Sequence, residues 1–445
     1  MIQEFAAKVL RKAADMKLEC EVYAVSGDSV SLCALEGALD EYEVSTSQGA
    51  GVRVLHEGSA GMSFTEDLTV EPELLLRWAR DNAAAAQEPA QPLFAGSESY
   101  PELTVDTTAV RGYDTRDKIR DVLALEALCK ADGAVKSVQH CQLTTSLTRT
   151  VVANTAGLSL ARENAYLATY CMPLVHDGAD VQEGFAFVVG RDPLQVDWQD
   201  LAARAVAVGR SRVGAAPCKG YKGPVAFDPE AFADLMSAFT GVFSAENAQK
   251  GLSLLAGKEG QSIAVAGLDL IDAPLLPDSQ ASRAFDAEGV ATYTKPIIAD
   301  GVLTTLLHNR KTAAAQGVQT TANAARGGYS GGIGISPSNF YIQPSDTPRA
   351  SVLAGLHEGL LVTDVSGLHA GCNAVSGDFS VQVKGFWCRD GAPCDPVCRV
   401  TVSGNFFELL CRIMAWGDDL TFAYPGGARL GAPTMLVDEL TVSGK

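Results

Sequence analysis

Three side chains in the last quarter of the chain are of types that bind transition metals. His369 and Cys372 have a His-x2-Cys spacing that can hold zinc, and His357 lies shortly before them. Glu358 follows His357, but no second histidine follows one helical turn later, as the helical zinc motif requires. We therefore expect ordinary histidines and an ordinary thiol, and a metal site made of His357, His369 and Cys372 is the alternative.

The other sequence motifs for catalysis are incomplete. Residues 251–258, GLSLLAGK, are one residue too long for a phosphate-binding loop, and Glu259 replaces the hydroxyl residue that would bind magnesium. The glycine-rich run 327–334 does not follow the pattern of strand, turn and helix. No Gly-x-Ser-x-Gly elbow is followed by an acid and a histidine, as serine catalysis would need. We expect these segments to be plain loops.

Residues 367–387, GLHAGCNAVSGDFSVQVKGFW, combine a polar loop with a strand. Asn373, Ser376 and Asp378 lie among glycines, which suit tight turns. The residues after Asp378 alternate in polarity, which is typical of a half-buried strand. Polar groups beside an apolar strand are a place for a ligand to bind, whereas the simpler interpretation is a structural turn.

The composition limits the class of protein. The chain has 445 residues, 47% apolar and 20% charged, so it is globular and long enough for two or three domains. Its formal charge of −18 repels phosphate backbones, and we expect no direct contact with nucleic acid. We find no apolar run of membrane-spanning length, and Glu4 is acidic where a signal peptide would be basic, so we expect neither a membrane span nor a signal peptide. The eleven cysteines are scattered and suit a reducing compartment, so we expect a cytoplasmic protein.

The patterns of apolar residues predict an α+β fold, with an N-terminal α/β region that contains an antiparallel sheet and a large β-rich C-terminal domain. Spacings of three and four predict a helix at 2–16, and Pro72 is placed to start another. A middle region follows, with a helix around Ile119, alternating strands from 135 to 189 and a helix at 198–208. The first region is predicted to contain five short strands, at 19–25, 29–35, 42–47, 52–55 and 60–64. A turn is predicted at 48–51, between the third and fourth of them.

Composition changes also divide the chain into domains. We expect an N-terminal domain at 1–86, a proline-rich connector at 87–108, a middle region at 109–216 packed with the first domain, and the β-rich domain at 220–445. In the last domain, Asp228 and Pro229 are predicted to start a helix. Asp300 and Gly301 are predicted to form the turn of a hairpin between strands 291–298 and 302–308.

Several segments, taken in order, resemble the TldD/PmbA family. They are IDAPLLPDSQASRAFDAEGVATYTKPIIADGVLTTLLHNRKTAAAQG, TTANAARG, SPSNFYIQP, GCNAVSGDFSVQVKGFW and VTVSGN, together with GAGVRVLHEGSAGMSFTEDL near the N-terminus. The likeness covers nearly the whole chain. Members of the family are described as modulators of DNA gyrase and as metallopeptidases, so the resemblance implies a function in proteolysis.

The resemblance also implies a type of subunit. TldD-type chains carry an H-E-x-x-x-H helix and a downstream cysteine that hold a catalytic metal, whereas PmbA-type chains, also called TldE, lack them and pair with a TldD-type chain. In the equivalent helix here, Ser237 and Val242 stand at the two histidines and Ala238 at the glutamate. The segment 424–430 resembles the one with the cysteine but contains none. Serine is a poor neutral zinc ligand, and Ala and Val have no electron pair to donate.

The resemblance therefore implies a non-catalytic subunit of a metallopeptidase complex that processes unfolded or small peptides. The chain would have no catalytic residue and no cofactor of its own, and zinc would be found only in a TldD-type partner. It would form a heterodimer with that partner or a homodimer. Two alternatives remain, a homodimeric peptide-binding or scaffold protein without protease activity, and an autonomous metal-dependent peptidase with the divergent site described above.

In the family, two chains enclose an inner cavity that holds the peptide. Strand edges can add an extended peptide through main-chain hydrogen bonds, and acidic walls would favour basic or neutral peptides. Our candidates for lining this cavity are His308, Asn309, Asn323, Asn373, Ser376 and Asp378.

Overall fold

A seven-stranded antiparallel sheet is built by the first half of the chain. We describe residues 1–86, 89–426 and 428–445 of a computed structural model. The strands follow the order β3-β2-β1-β4-β5-β6, and β7 also pairs with β5. The elements of this half are α1 (Ile2–Asp15), β1 (Glu19–Leu35), β2 (Ala38–His56), β3 (Ser59–Thr65), α2 (Pro72–Ala86), α3 (Thr108–Gly112), α4 (Thr115–Lys130), β4 (Val135–Asn154), β5 (Ser159–Asp177), β6 (Asp180–Glu183), β7 (Ala186–Gly190), a 3-10 turn (Pro193–Gln195) and α5 (Trp198–Ser211).

Each face of this sheet has its own partner, because side chains alternate along a strand. Along β1, Val22 packs with α1 and α2, and Leu32 packs with α4 and α5 on the same face. Tyr23 points to the opposite face and packs with Phe285 and Ala324 of the C-terminal half. The helices therefore cover one face of the sheet, and the C-terminal half covers the other.

The predicted turn at 48–51 is wrong, because this segment lies inside the continuous strand β2. The strands predicted at 42–47 and 52–55 are therefore one strand, β2, and those predicted at 19–25 and 29–35 are likewise one strand, β1. The glycines serve close packing rather than a turn. A Cβ on Gly51 would lie 2.1 Å from the carbonyl oxygen of Tyr329, and one on Gly49 would lie 2.6 Å from the Tyr329 ring.

The second half of the chain contains two six-stranded sheets and a two-stranded one. Their strand orders are β11-β10-β9-β14-β20-β19, β17-β16-β15-β8-β21-β18 and β12-β13. The elements are β8 (Tyr221–Phe227), α6 (Pro229–Ser237), a 3-10 turn (Thr240–Phe243), α7 (Ala245–Gln249), β9 (Leu270–Asp272), β10 (Lys295–Ala299), β11 (Val302–Leu303), α8 (Arg310–Gln316), β12 (Ala324–Ala325), β13 (Gly334–Ile335), β14 (Asn339–Ile342), α9 (Arg349–Ala354), β15 (Glu358–Ser366), α10 (Leu368–Gly371), β16 (Asp378–Arg389), β17 (Ala392–Asn405), α11 (Phe406–Cys411), β18 (Ile413–Trp416), β19 (Thr421–Phe422), β20 (Arg429–Ala432) and β21 (Met435–Ser443).

The predicted turn at Asp300 and Gly301 is confirmed. Both residues have positive φ, as a two-residue hairpin turn requires, and Ile298 pairs with Leu303 across it. The flanking strands are shorter than predicted, since β10 begins at Lys295 and β11 ends at Leu303. The predicted helix after Asp228 is confirmed as α6, which buries Phe232 and Leu235 in the main core of this half.

Buried charges join the two halves. The Arg326 guanidinium lies 2.7 Å from the carboxylate of Glu21, and Arg53 lies 3.3 Å from the same carboxylate. The side chains of Arg326 and Glu21 are each 1% exposed. Residues 87 and 88 of the predicted connector lie outside the described residues, and 89–107 form no helix. None of the described helices is long and apolar enough to cross a membrane.

Candidate functional site

A cavity of about 680 Å³ opens where the two halves of the chain meet. The first half contributes α5 and the start of β7, and the second half contributes α6, β15 and the residues around Tyr424. Cavities at such junctions are preferred places for ligands, because groups from separate elements converge there. We take this cavity as the candidate functional site.

One wall of the cavity is aromatic. Phe185 and Phe187 alternate with the buried Ala186, so both rings lie on the face of the strand that is turned away from its core. Tyr424 packs edge-on against them, with ring centroids 5.3 Å from Phe187 and 6.4 Å from Phe185. Tyr424 is still 39% exposed, so the wall remains open to a ligand.

Two carboxylates of α6 face this wall. Glu230 and Asp234 are four residues apart, which places them about 5–6 Å apart on one side of the helix. Burial, and then the neighbouring Asp234, raise the pKa of Glu230 to about 7. Burial, and then Asp364, raise the pKa of Asp234 to about 6. Among the described residues, neither carboxylate has a hydrogen bond or an ion pair.

The arginines at the rim are already paired with other acids. Arg212 lies 3.2 Å from Asp364, beside a bulge in β15 between Val362 and Asp364. Arg349, the first residue of α9, bridges two carboxylates of the cavity lining, those of Asp228 and Asp419. These pairs fix the backbone around the cavity without occupying it.

The residues at the metal-motif positions lie just beyond this face of α6. Ser237 is exposed, and its hydroxyl donates a hydrogen bond of 2.6 Å to the carbonyl of Asp234 in its own helix. Ala238 packs against the core, and Val242 is 1% exposed within it. Among the described residues, no group of three or more His, Cys, Asp or Glu side chains can hold a metal. The residues at these positions therefore do not fit a metal ion. Gly427, within the segment 424–430, lies outside the described residues.

The three residues of the alternative metal site are not brought together. His357 precedes the nine-residue strand β15, and His369 follows it, so about 30 Å of extended chain separates them. His369 and Cys372 lie in and just after α10, where Cys372 packs against the core and burial raises the pKa of its thiol.

Three of the predicted cavity-lining residues are buried structural groups. His308 is 1% exposed, and burial lowers the pKa of its imidazole. Asn309 caps α8 by accepting a hydrogen bond of 2.9 Å from the Thr312 amide. Asn323 is fully buried and donates to Asp272 at 2.7 Å. The cavity is lined by other residues, so these three are not brought to it.

The other three predicted residues form a local turn away from the cavity. The Asn373 side chain accepts hydrogen bonds from the amides of Val375 and Ser376, as in an Asx turn. Hydrogen bonds from Asn405 and Ser376 lower the pKa of Asp378. Asn373 and Asp378 are exposed, and none of the three residues lines the cavity.

The sequence contains signals for the residues that line this cavity. The helix after Asp228 was predicted from its apolar face, but the opposite face carries Glu230 and Asp234 at a spacing of four. Likewise, Phe185 and Phe187 alternate along a predicted strand. Neither pattern shows by itself that the two surfaces meet, because the folding of the halves onto each other brings them together.

Comparison with known proteins gives the class of this protein. Models of the PmbA/TldA metallopeptidase domain 1, central domain and C-terminal domain match residues 20–85, 109–211 and 220–444. The chain therefore belongs to the PmbA/TldD metallopeptidase family.

Individual relatives cover the full length of the chain. Metalloprotease PmbA of Escherichia coli O157:H7 is 23% identical, over 100% of this chain and 96% of the relative. An uncharacterized protein of Methanocaldococcus jannaschii is 25% identical, over 90% and 92%. A Thermotoga maritima structure described as a modulator of a DNA gyrase has a TM-score of 0.92 at 29% identity, over 100% of both chains. TldE from Thermococcus kodakarensis, at 22% identity, has the same fold, with a TM-score of 0.88 over 99% of this chain and 100% of that one.

Proposed function

We propose that this chain is the subunit without a catalytic metal in a cytoplasmic, heterodimeric TldD/PmbA-type metallopeptidase, and that it holds unfolded or small peptides for the partner. Zinc and the catalytic groups belong to a TldD-type partner chain. This chain contributes a binding surface, and the cavity beside α6 is part of it.

The chemistry of the motif positions carries this proposal. A zinc site that activates water needs three protein ligands and an open position. Ser237 uses its hydroxyl on its own helix, and Val242 is enclosed by the core. Neither side chain can become a ligand without breaking α6 or the packing around it, so these positions favour a subunit that does not hydrolyse peptides by itself.

The cavity supports a role in binding peptides. Its lining combines aromatic rings with carboxylates, as sites for small molecules and peptide side chains do. The formal charge of −18 disfavours direct contact with DNA, so a role that involves gyrase would be indirect.

The test is reconstitution with a TldD-type chain that carries the H-E-x-x-x-H motif. This chain, the partner and the complex are each assayed for zinc by elemental analysis and for cleavage of an unfolded peptide. We expect zinc in the partner alone and full cleavage only by the complex. Zinc in this chain at one equivalent, with cleavage by this chain alone, would overturn the proposal.

A cavity-filling variant tests the binding role. Ala207 is exposed on α5 and lines the cavity, so Ala207→Trp fills it without disturbing the core. Ala203→Trp is the matched control, since it places the same side chain on an exposed position of the same helix outside the cavity. We expect Ala207→Trp to weaken peptide binding by the complex at least about tenfold, while Ala203→Trp leaves it unchanged. Equal binding by both variants would count against the cavity.

A further inference from the structure

The cavity holds two carboxyl groups that form no ion pair with a described residue. Glu230 and Asp234 both line it, and neither has a hydrogen bond or an ion pair among the described residues. Partly buried carboxylates are normally paired, because removing a charge from water is costly. These two are held near each other on one side of the helix, where Asp234 makes Glu230 harder to ionise.

The nearby arginines each form an ion pair with another acid. Arg212 pairs with Asp364, and Arg349 bridges Asp228 and Asp419. Arg204 also lines the cavity and partly offsets the rise in the pKa of Glu230, but its ion pair, at 2.7 Å, is with Asp200 one turn earlier on α5. None of these three arginines forms an ion pair with Glu230 or Asp234, so a positive group on a bound molecule can complete the site.

The aromatic wall opposite the carboxylates adds a second preference for a cation. The rings of Phe185, Phe187 and Tyr424 stand within 5.3–6.4 Å of one another and present π faces and edges to the cavity. An ammonium or guanidinium group is attracted to such faces, and its alkyl stem packs against them. A divalent metal is a poorer occupant, since among the described residues no third His, Cys, Asp or Glu joins the two carboxylates in a metal-binding group.

We infer that the cavity takes the basic side chain of a bound peptide, with Glu230 and Asp234 on its charge and the rings of Phe185, Phe187 and Tyr424 along its stem. This inference rests on the proposed function, because it names the peptides that the binding surface prefers. A lysine or arginine side chain supplies a single, flexible positive group on an apolar stem, which fits both walls of the cavity.

The test measures the binding of three fluorescent peptides to the full chain by anisotropy. All three are acetylated and amidated and share one unstructured sequence, in which three fixed positions are all lysine, all norleucine or all glutamate. We expect lysine to bind at least about tenfold more tightly than norleucine, the effect of one or two charge-assisted hydrogen bonds. Glutamate should bind most weakly.

Two double variants separate the site from the net charge. Glu230→Gln with Asp234→Asn removes the carboxylates of the cavity, and we expect it to abolish the preference for lysine over norleucine. Glu41→Gln with Glu43→Gln removes the same charge from exposed positions of β2 and should keep the preference. An equal loss in both variants would mean a general charge effect and would overturn the inference.

The failure of this inference can be told apart from the failure of the proposed function. If lysine and norleucine peptides bind equally well and Ala207→Trp blocks both, the cavity binds peptides without regard to charge, and only the inference is overturned. If none of the peptides binds to the chain or to its complex, both are overturned. A preference for lysine that persists in the Glu230→Gln and Asp234→Asn variant would place the basic side chain elsewhere, which also overturns the inference.

Discussion

Removing the two cavity carboxylates should make the protein more stable at neutral and alkaline pH. Both pKa values lie above the usual values of 4.5 for Glu230 and 3.8 for Asp234, because burial disfavours the charged form. Between pH 4 and pH 7 the folded chain therefore binds more protons than the unfolded chain, and proton binding is linked to stability. The free energy of unfolding contributed by these groups falls as the pH rises through this window, and the loss is complete above it.

The size of the effect follows from the pKa values. A rise from 4.5 to about 7 for Glu230 corresponds to about 3 kcal/mol, and a rise from 3.8 to about 6 for Asp234 to a similar amount. Water in the cavity screens both groups, and part of the rise in Glu230 comes from Asp234 itself, so the two amounts do not add. We expect the double change Glu230→Gln and Asp234→Asn to raise the free energy of unfolding at pH 8 by about 2 kcal/mol.

The assay is urea unfolding at pH 5, 6, 7 and 8, with the Glu41→Gln and Glu43→Gln protein as the control for net charge. Other groups face the two carboxylates, namely Asp228 and Arg204 near Glu230 and Asp364 near Asp234. Their interactions with the two carboxylates are already part of the two pKa values and are lost together with the carboxylates in the double variant. The gain should be smallest at pH 5, at less than half of its value at pH 8, and should grow with pH. A gain that is independent of pH, or a loss of stability at pH 8, would refute the reasoning.

Two further predictions concern the contacts between the halves of the chain. Arg326→Met leaves the carboxylate of Glu21 buried with only Arg53, so we expect the free energy of unfolding to fall by about 3–5 kcal/mol. The control is Arg120→Met, which should lower it by less than about 1 kcal/mol because the Arg120 side chain is 65% exposed. Similar losses in the two variants, measured by urea unfolding, would contradict this prediction. Gly51→Ala forces a Cβ to within 2.1 Å of a backbone oxygen and should lower the free energy of unfolding by about 2 kcal/mol, while Gly190→Ala, which meets open space, should change it by less than about 0.5 kcal/mol in the same assay.

The local elements of the fold could be predicted because their signals are local. The apolar face of α1 lies within its own sequence, and so does the proline that starts α2. The turn at Asp300 and Gly301 needs positive φ at two adjacent residues, which these residue types permit. Such features are decided by a few neighbouring side chains and hold in any tertiary context.

The glycines of β2 show why other parts could not be predicted. Gly49 and Gly51 indicate a turn when only their neighbours are considered. Their role is set by Tyr329, which packs on the strand from the other half of the chain and donates a hydrogen bond of 2.7 Å to Glu66. A contact between residues so far apart in sequence leaves no local pattern.

The cavity beside α6 is not recognisable from the sequence for a related reason. The residues predicted to line a cavity between two chains are polar, and within this chain His308 and Asn323 are buried in hydrogen bonds that hold the C-terminal half together. A polar side chain among apolar ones indicates that it forms hydrogen bonds. The partners of those hydrogen bonds can belong to the protein itself as well as to a ligand. The aromatic wall and the carboxylates of α6 become a site only when the sheet of the first half covers the second.

The helix α6 links the proposed subunit role to the cavity. It ends at Ser237, and Val242 lies in the 3-10 turn that follows; both side chains serve the helix and the core, so this segment adds to stability. Its first two turns carry Glu230 and Asp234, which lower stability at neutral pH because they are partly buried without an ion pair. A chain that served only as a passive support would become more stable by replacing these two acids with amides, and functional sites are where such local costs persist. The contrast between the two ends of this segment therefore favours a subunit that binds a ligand over one that only holds its partner in place.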